Sequence, residues 1–585
     1  MRSWWWTKFF KHGRRAALES ARASEIEQTL DGFPPPASLR AEALSRALGM
    51  SVTLAGWLDQ RGHLEPEATR RYLNPRLAEL TAPDAMLDRK AAAQRIARAV
   101  RDAERIVVFG DYDCDGMTSA AIFTEALRAL GGNATPVLAS RFDGGYGLSQ
   151  AALERVLSHA PKLLVTCDCG SSDHASLAQL GPRGVDVVVV DHHLVPEQPL
   201  PALAFLNPHR SGCGFPYKGL ASCGLALSVL AAVRAELGRA LDLRPLLDLV
   251  AIGTIADVAP LDGDNRALVR AGLKVLGEAR RPGVRALLEL AEIAPGPPLR
   301  AEDVAFRLAP RLNAPGRLGA PDIAVELLLS QSLDAARAFA AEIEQRQLER
   351  RAVQQQMLDD ALAEVEREGF RERPALVLGR EGWNHGIVGI VAGRLASELQ
   401  RPVAVIGFER GIGRGSVRGP KGSRLHDALA ACAPLLRRFG GHQAAAGLEV
   451  ELEQLGTLRR AFEAACEAQA PLRMYDDVPR TRLAPGDNLA RVLADLALLE
   501  PCGESNPTPA LALMGRVVAA REVTGGHLKL ELLLESGERL SAFGVGMGSR
   551  AEALTQATEV AVSGKLRPDR YRGGSAIELK LDKIW

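Results

Sequence analysis

The segment from Arg105 to Ser119 constrains this chain more than any other. Ile106 to Phe109 is an apolar run of strand length. It ends in aspartates at every second position, Asp111, Asp113 and Asp115, before Gly116 opens a helix expected to continue through Leu130. Three carboxylates packed this closely repel one another, a cost that makes little sense without a cation to bind. The alternative is an acidic turn that caps a helix. Further acidic or imidazole side chains brought to the same place would decide between the two.

Composition narrows the field. At 585 residues the chain has room for about three to five domains. Its net charge of +1 means that any basic surface for nucleic acid must be local. Eight cysteines without a C-x-x-C pair argue against a zinc or disulfide framework and for a cytoplasmic chain. No apolar run reaches the roughly 18 residues that a membrane span needs. The start, with Trp4, Trp5 and Trp6, has no cleavable-signal pattern and is expected to dock on its own protein or to be loosely ordered.

From Arg105 onward strands and helices alternate, which predicts α/β architecture with a parallel sheet covered by helices. Lys162 to Thr166 is a second strand, ending at Asp168. Val185 to Val190 is a third, ending in Asp191-His192-His193. In parallel sheets the carboxyl ends of the strands share one edge, where ligands bind, so these tips should meet. Asp257 closes an apolar helix beginning near Leu246, where a carboxylate opposes the helix dipole and needs a partner. Pro310 to Gly319 reads as a loop with two arginines. Ser332 to about Gly369 reads as a long, polar, solvated connecting helix. A second α/β unit follows, with strands at Ala375 to Gly379 and Pro402 to Phe408 and a helix from about Asn384 to Leu399. After it comes a glycine-arginine loop, Gly411 to Gly419, whose Arg414 and Arg418 are placed to clamp a phosphate. Five short strands, 515–522, 527–535, 539–545, 559–566 and 576–585, fit an OB-type barrel.

The candidate ligands are Asp111, Asp113, Asp115, Asp168, His192, His193 and Asp257. Carboxylates with one or two imidazoles suit Mn²⁺ or Mg²⁺ better than Zn²⁺. Several carboxylates can bridge two ions about 3.5–4 Å apart, the arrangement used for in-line displacement at phosphorus.

These motifs resemble a known family. Asp191-His192-His193 is similar to the namesake triplet of the DHH phosphoesterase superfamily. Asp111-Tyr-Asp-Cys-Asp-Gly116, Val165-Thr-Cys-Asp-Cys-Gly170 and Gly253-Thr-Ile-Ala-Asp257 resemble its other metal motifs. Four further stretches, 141–149, 310–317, 382–389 and Gly440-Gly-His442, more narrowly resemble RecJ-type exonucleases. The resemblance implies a 5′→3′ exonuclease that degrades single-stranded DNA to mononucleotides in repair and recombination, with Mn²⁺ or Mg²⁺ as two ions. It implies Asp113, Asp115, Asp168, His192 and Asp257 as metal ligands and His193 beside the reacting phosphate; Asp111 is read with His193 as catalytic. Arg141, Arg317, Arg414, Ser416, Arg418 and His442 fall to substrate and phosphate binding. The implied organisation is a helical cap or accessory segment (1–87), a parallel-sheet DHH domain (88–330), a connecting helix (331–370), a smaller α/β DHHA1 domain (371–470) and an OB-like barrel (471–585). Single-stranded DNA is the implied partner, with a single-strand-binding protein and a helicase as candidate associates, for a monomer that touches no membrane.

The chain departs from the family at Phe109, where many members have histidine, which leaves Asp111 or solvent to complete a second metal's shell. It departs also at Cys169, where asparagine is common. Two other readings compete. One is a DHH phosphodiesterase for short oligonucleotides or cyclic dinucleotides, which needs no strand-binding barrel. The other is a catalytically inactive replication scaffold, which would be expected to have lost its aspartates.

Overall fold

A computed structural model describes residues 32–441, 443, 445–469, 478–556, 558–569 and 576–585. The tryptophans at 4–6 and the candidate His442 lie outside the described residues. The chain forms two compact units. One holds the described residues from Leu77 to 469 with Gly503–Ser505; the other holds those up to Arg76, from 478 to Cys502 and from Asn506 on.

The first unit begins with a five-stranded sheet, all parallel, in the order β2-β1-β3-β4-β5. Its strands are β1 (Arg105–Gly110), β2 (Asn133–Leu138), β3 (Leu163–Cys167), β4 (Asp186–Val190) and β5 (Ala204–Leu206). The interior strands read as apolar runs because helices bury both faces. β2 escapes the sequence reading because Pro136 interrupts it, which an edge strand tolerates; β5 has only three residues. Gly110 pairs with Cys167, and Cys167 with Val190, so β1, β3 and β4 end in register.

The helix Leu333–Arg367 joins this sheet to the next. It is not the uniformly solvated connector expected from its polar composition. Ala336, Ala340 and Ile343 join the core of the first domain, while Met357, Leu358, Ala361 and Val365 join that of the second. Between those apolar stretches Gln347 and Arg350 are buried on the same stripe.

The second sheet is mixed, in the order β6-β7-β8-β10-β9: β6 (Leu376–Glu381), β7 (Val403–Glu409), β8 (Ile412–Arg418), β9 (Arg438–Gly441) and β10 (Ala445–Glu451). Two expectations are corrected here. The glycine-arginine segment is strand β8, not a loop. A Cβ on Gly413 would sit 2.5 Å from the Phe408 ring, and one on Gly415 would sit 2.8 Å from Ile406, so these glycines permit close packing on β7. The segment 310–317 is helix Ala309–Arg317, not a loop; a π turn at Val304–Leu308 leads directly into it, so Pro310 sits in a run that is already helical. The helix expected from Asn384 starts at Val388, because the Asn384 side chain accepts from the Gly386 N–H in a preceding turn.

In the other unit β12 (Ala510–Val523), β13 (His527–Leu533), β14 (Arg539–Gly544), β16 (Ile577–Ile584) and β15 (Glu559–Pro568) form a five-stranded barrel, closed by pairing of β12 with β15. The short β11 (Arg480–Arg482) adds to β12. Three N-terminal helices, Leu39–Leu48, Val52–Gln60 and Pro66–Leu73, share the barrel's core through Leu54, Trp57 and Leu58 beside Leu511, Leu528 and Val562.

Candidate active site

The common end of β1, β3 and β4 delivers Asp111, Asp168 and Asp191 side by side. The Asp111 N–H donates to the Cys167 carbonyl (3.2 Å) and the Asp168 N–H to that of Val190 (3.0 Å). Asp168 adopts a left-handed backbone, φ 62°, which aspartate tolerates better than most residues. Asp113 caps the helix Cys114–Ala129, accepting from the N–H groups of Asp115 (3.0 Å) and Gly116 (3.2 Å). Asp115, in the first turn, accepts from Ser222 N–H (2.7 Å) and Cys223 N–H (2.9 Å). Asp257 caps the C-terminus of helix Leu247–Ala256.

These side chains converge. His192 Nε2 lies 3.1 Å from Asp168 Oδ1, 3.7 Å from Asp257 Oδ2 and 3.8 Å from Asp115 Oδ2. Three trios each bring their ligand atoms within 4.8 Å of one another: Asp168-His192-His193, Asp115-His192-Asp257 and Asp111-Asp113-Asp168. Asp191 plays a different part. It accepts from the N–H of Ser171 (3.0 Å) and holds His193 through Nδ1 at 2.8 Å, beside the Tyr146 hydroxyl at 3.0 Å from the same nitrogen.

The electrostatics match a site built for cations. Burial, then the neighbouring carboxylates, pushes Asp168 well above the usual carboxylate range and raises Asp257 to about 8. Burial followed by Asp113 does the same to Asp111, whose buried Oδ1 has no hydrogen-bond partner among the described residues. Burial disfavours charge on His193, but the Asp191 hydrogen bond and charge outweigh it and raise the imidazole to about 9. The nearby thiols of Cys114, Cys169 and Cys223 donate to backbone carbonyls. The donor set is therefore carboxylate oxygen and imidazole nitrogen, which fits Mn²⁺ or Mg²⁺. Phe109 is fully buried in the apolar layer with Leu164 and Val189 and offers no ligand.

Beside these carboxylates lies a pocket of about 360 Å³, lined by Tyr112, Arg141, Arg317, Arg414, Ser416 and Arg418 among others. Strand period two puts Arg414, Ser416 and Arg418 on one face of β8, so the two arginines line the pocket together. The Arg141 guanidinium stacks 3.8 Å over the Tyr112 ring. Arg317 donates to the Gly386 carbonyl at 2.8 Å, and Arg418 to Ser416 Oγ at 2.7 Å. Burial, then Arg141 and Arg350, lowers Arg317 to about 10. Arg317 and Arg418 crowd Arg141 as the carboxylates crowd one another next door, and an anion would relieve it; Arg414 faces Glu449 at 3.5 Å.

Family models match in both units: the DHH family N-terminal domain over residues 105–254, the DHHA1 domain over 372–468 and the RecJ OB domain over 482–583. The single-stranded-DNA-specific exonuclease RecJ of Bacillus subtilis is 33% identical over 550 residues, covering 93% of this chain and 69% of that protein. The chain belongs to the RecJ family. The solved structure of RecJ from Thermus thermophilus in complex with Mn²⁺ matches with a TM-score of 0.78 at 33% identity, over 94% of this chain and 78% of that one. The Mg²⁺ complex of the same RecJ matches at 0.73 and 30% identity, over 94% and 77%.

Among the RecJ-like candidates the structure thus brings together Asp111, Asp113, Asp115, Asp168, His192, His193 and Asp257 in one group, and Arg141, Arg317, Arg414, Ser416 and Arg418 in another. Sequence reading missed Asp191 as the partner of His193, Tyr112 as a platform for Arg141, and His385 and Arg438 on the pocket wall. Tyr112 and Asp191 lie inside the aspartate motifs and were open to discovery there. The N–H groups of Ser222 and Cys223 that hold Asp115 carry no side-chain signal at all.

The shifts predict a pH dependence. Asp257 in the metal-free fold keeps its proton to about pH 8 and His193 to about 9, whereas unfolded groups release theirs near 3.9 and about 6.5. Stability from both is present at low pH and is lost as pH rises toward 8–9. Melting of chelator-treated protein should therefore drop from about pH 4 to 9, most steeply above about pH 6.5 where both groups contribute, with Mn²⁺ raising the melting temperature more at the alkaline end. A metal-free melting temperature that climbs over this window would contradict the assignment.

Proposed function

We propose that this chain is a metal-dependent exonuclease that degrades single-stranded DNA from the 5′ end to mononucleotides, using Mn²⁺ or Mg²⁺. The observation that carries the reading is the adjacency of a carboxylate-histidine cluster to an arginine pocket, joined through Tyr112. Asp113, Asp115, Asp168, His192 and Asp257 would hold the metal, with Asp111 closing one side. When bound, divalent ions neutralise charge on the phosphoryl oxygens and lower the pKa of an attacking water.

The remaining work falls to the protein. Asp191 engages His193 at Nδ1, which leaves Nε2 as the atom available to donate to a phosphoryl or leaving oxygen. Arg141, stacked on Tyr112, and Arg317, Arg414 and Arg418 surround a space of the size that takes one small ligand, such as a nucleotide end. A 5′ phosphomonoester brings a second negative charge that a chain-internal phosphate or a 3′ hydroxyl lacks, and clustered guanidinium groups favour it. Strands labelled at either end test polarity: 5′ label should leave as mononucleotide from the first turnover, with 3′ label retained until late. Early loss of 3′ label would reverse the assignment.

The barrel favours long strands over the short-substrate alternative, because an OB module tracks several nucleotides. Since the N-terminal helices share its core, removal of residues 1–76 and 478–585 together, which also takes Gly503–Ser505 from the first unit, should weaken hydrolysis of long strands while sparing dinucleotides. Equal loss on both would remove the barrel from substrate binding. A role in repair and recombination, action as a monomer, and association with a single-strand-binding protein and a helicase complete the proposal. Among the described residues no helix is long and apolar enough to cross a membrane. Cytoplasmic placement rests on eight cysteines that are all unpaired.

A further inference from the structure

Two helix ends supply metal-site carboxylates, and those two helices are tied at their far ends by one buried arginine. Helix Cys114–Ala129 carries Asp115 at its start and Glu125 near its end. Helix Leu247–Ala256 carries Asp248 at its start and Asp257 at its end. Asp115 and Asp257 meet in one ligand trio, so the helices lie antiparallel. At the opposite end Arg281, only 9% exposed, donates through Nε to Asp248 Oδ2 at 2.8 Å and through a second nitrogen to Glu125; it also reaches the Leu328 carbonyl at 3.3 Å.

The helices are in close contact between these ends. A Cβ on Gly253 would stand 2.4 Å from Thr118 Oγ1 and 3.0 Å from Asp115 Oδ1, so no side chain separates them there. That contact is a fulcrum. At 1.5 Å per residue it lies roughly 4–6 Å from the metal carboxylates and about 7–11 Å from the Arg281 clamp. Without the guanidinium, Glu125 and Asp248 lose the group that joins them. Any parting of the far ends would be transmitted, by roughly half, to Asp115 and Asp257, against a metal-site tolerance of about 0.2 Å.

We propose that Arg281 is a positioning residue for the metal site: by clamping Glu125 to Asp248 it sets the separation of Asp115 and Asp257 across the Gly253–Thr118 contact. The inference rests on the metal-site reading given above. Arg281 touches neither substrate nor metal, and its signature is metal affinity.

The test is Mn²⁺ binding to the full chain, by calorimetry and by the resonance signal of free Mn²⁺. Wild type, Arg281→Met, Arg281→Lys and the milder Glu125→Gln are compared, with melting temperature followed in parallel. Arg95→Met is the stability control. Arg95 makes a similarly buried pair of bridges, to Glu104 (2.7 Å) and Asp186 (2.5 Å), at the amino end of the sheet and away from the carboxylates. Arg281→Met should weaken Mn²⁺ about 10-fold, the low end of the range for loss of a group bonded directly to a metal ligand, and saturating Mn²⁺ should restore most of the hydrolysis rate. Lysine, which cannot bridge two carboxylates as a fork does, should fall between. Glu125→Gln should weaken Mn²⁺ less than Arg281→Met. Arg95→Met should lower melting and leave Mn²⁺ affinity unchanged. Unchanged Mn²⁺ affinity in the Arg281 and Glu125 variants, or equal weakening in Arg95→Met, would overturn the inference. Failure of wild type itself to bind Mn²⁺ would instead overturn the metal-site reading.

Discussion

Asp168→Asn should abolish hydrolysis of single strands and yet melt no lower than the wild type when metal is absent. Asp168 is buried amid Asp111, Asp113, Asp115 and Asp257, and burial with those neighbours already disfavours its charge. Asparagine keeps the shape, can accept from Ser222 Oγ, 3.4 Å away, and tolerates the left-handed backbone as well as aspartate does. What it loses is a negative ligand. The expected cost is roughly 10³-fold or more in kcat, at or above the scale seen when one preorganised electrostatic group is removed from an active site. Metal-free melting should stay level or climb, by about 2–4 °C per kcal/mol of repulsion relieved. A variant that melts far lower without metal, or that keeps near-normal activity, would show Asp168 to be a structural residue.

Arg317→Gln and Arg418→Met should discriminate by the chemistry of the 5′ end. A hydrogen bond to a charged group contributes about 1.5–3 kcal/mol, so each change should reduce kcat/KM on 5′-phosphorylated strands roughly 10–100-fold. Strands ending in a 5′ hydroxyl never had the full interaction and should suffer much less. The dependence of kcat/KM on salt should flatten in both variants, because fewer cations meet phosphate. Arg317 also holds the Gly386 carbonyl, so Arg418→Met is the cleaner of the two. Equal losses on both kinds of end would mean that the pocket grips an internal phosphate.

Much of this site was legible in the sequence because each strand-tip ligand follows an element whose apolar run is plain. Ile106 to Phe109, Lys162 to Thr166 and Val185 to Val190 announce strands, and parallel strands must end together. No distances are needed to bring Asp111, Asp168 and His192 to one edge. Other features were illegible for physical reasons. Gly413 and Gly415 look like loop residues, and only the Phe408 and Ile406 side chains beneath them explain why a strand needs them. Pro310 and Pro315 suggest a break, yet both sit inside helix Ala309–Arg317. The stripe of the connecting helix changes partners midway, so its periodicity carries Gln347 and Arg350 inward and reads as polar throughout. Arg281 belongs to no motif; its meaning lies in two carboxylates that are 123 residues apart in sequence, Glu125 and Asp248. The shared core of the N-terminal helices and the barrel is likewise a contact between chain ends that no local pattern announces.

The most direct measurement is Mn²⁺-dependent digestion of 5′-labelled single strands and of the matching duplex by the full chain, with Asp113→Ala in parallel. Asp113 both caps its helix and faces Asp111 and Asp168 in one ligand trio. The wild type should release labelled mononucleotides from the single strand, leave the duplex intact and stop when metal is chelated, and Asp113→Ala should release none. Absence of activity on single strands, or activity that survives Asp113→Ala, would contradict the assignment of the strand-tip carboxylates as the catalytic metal site.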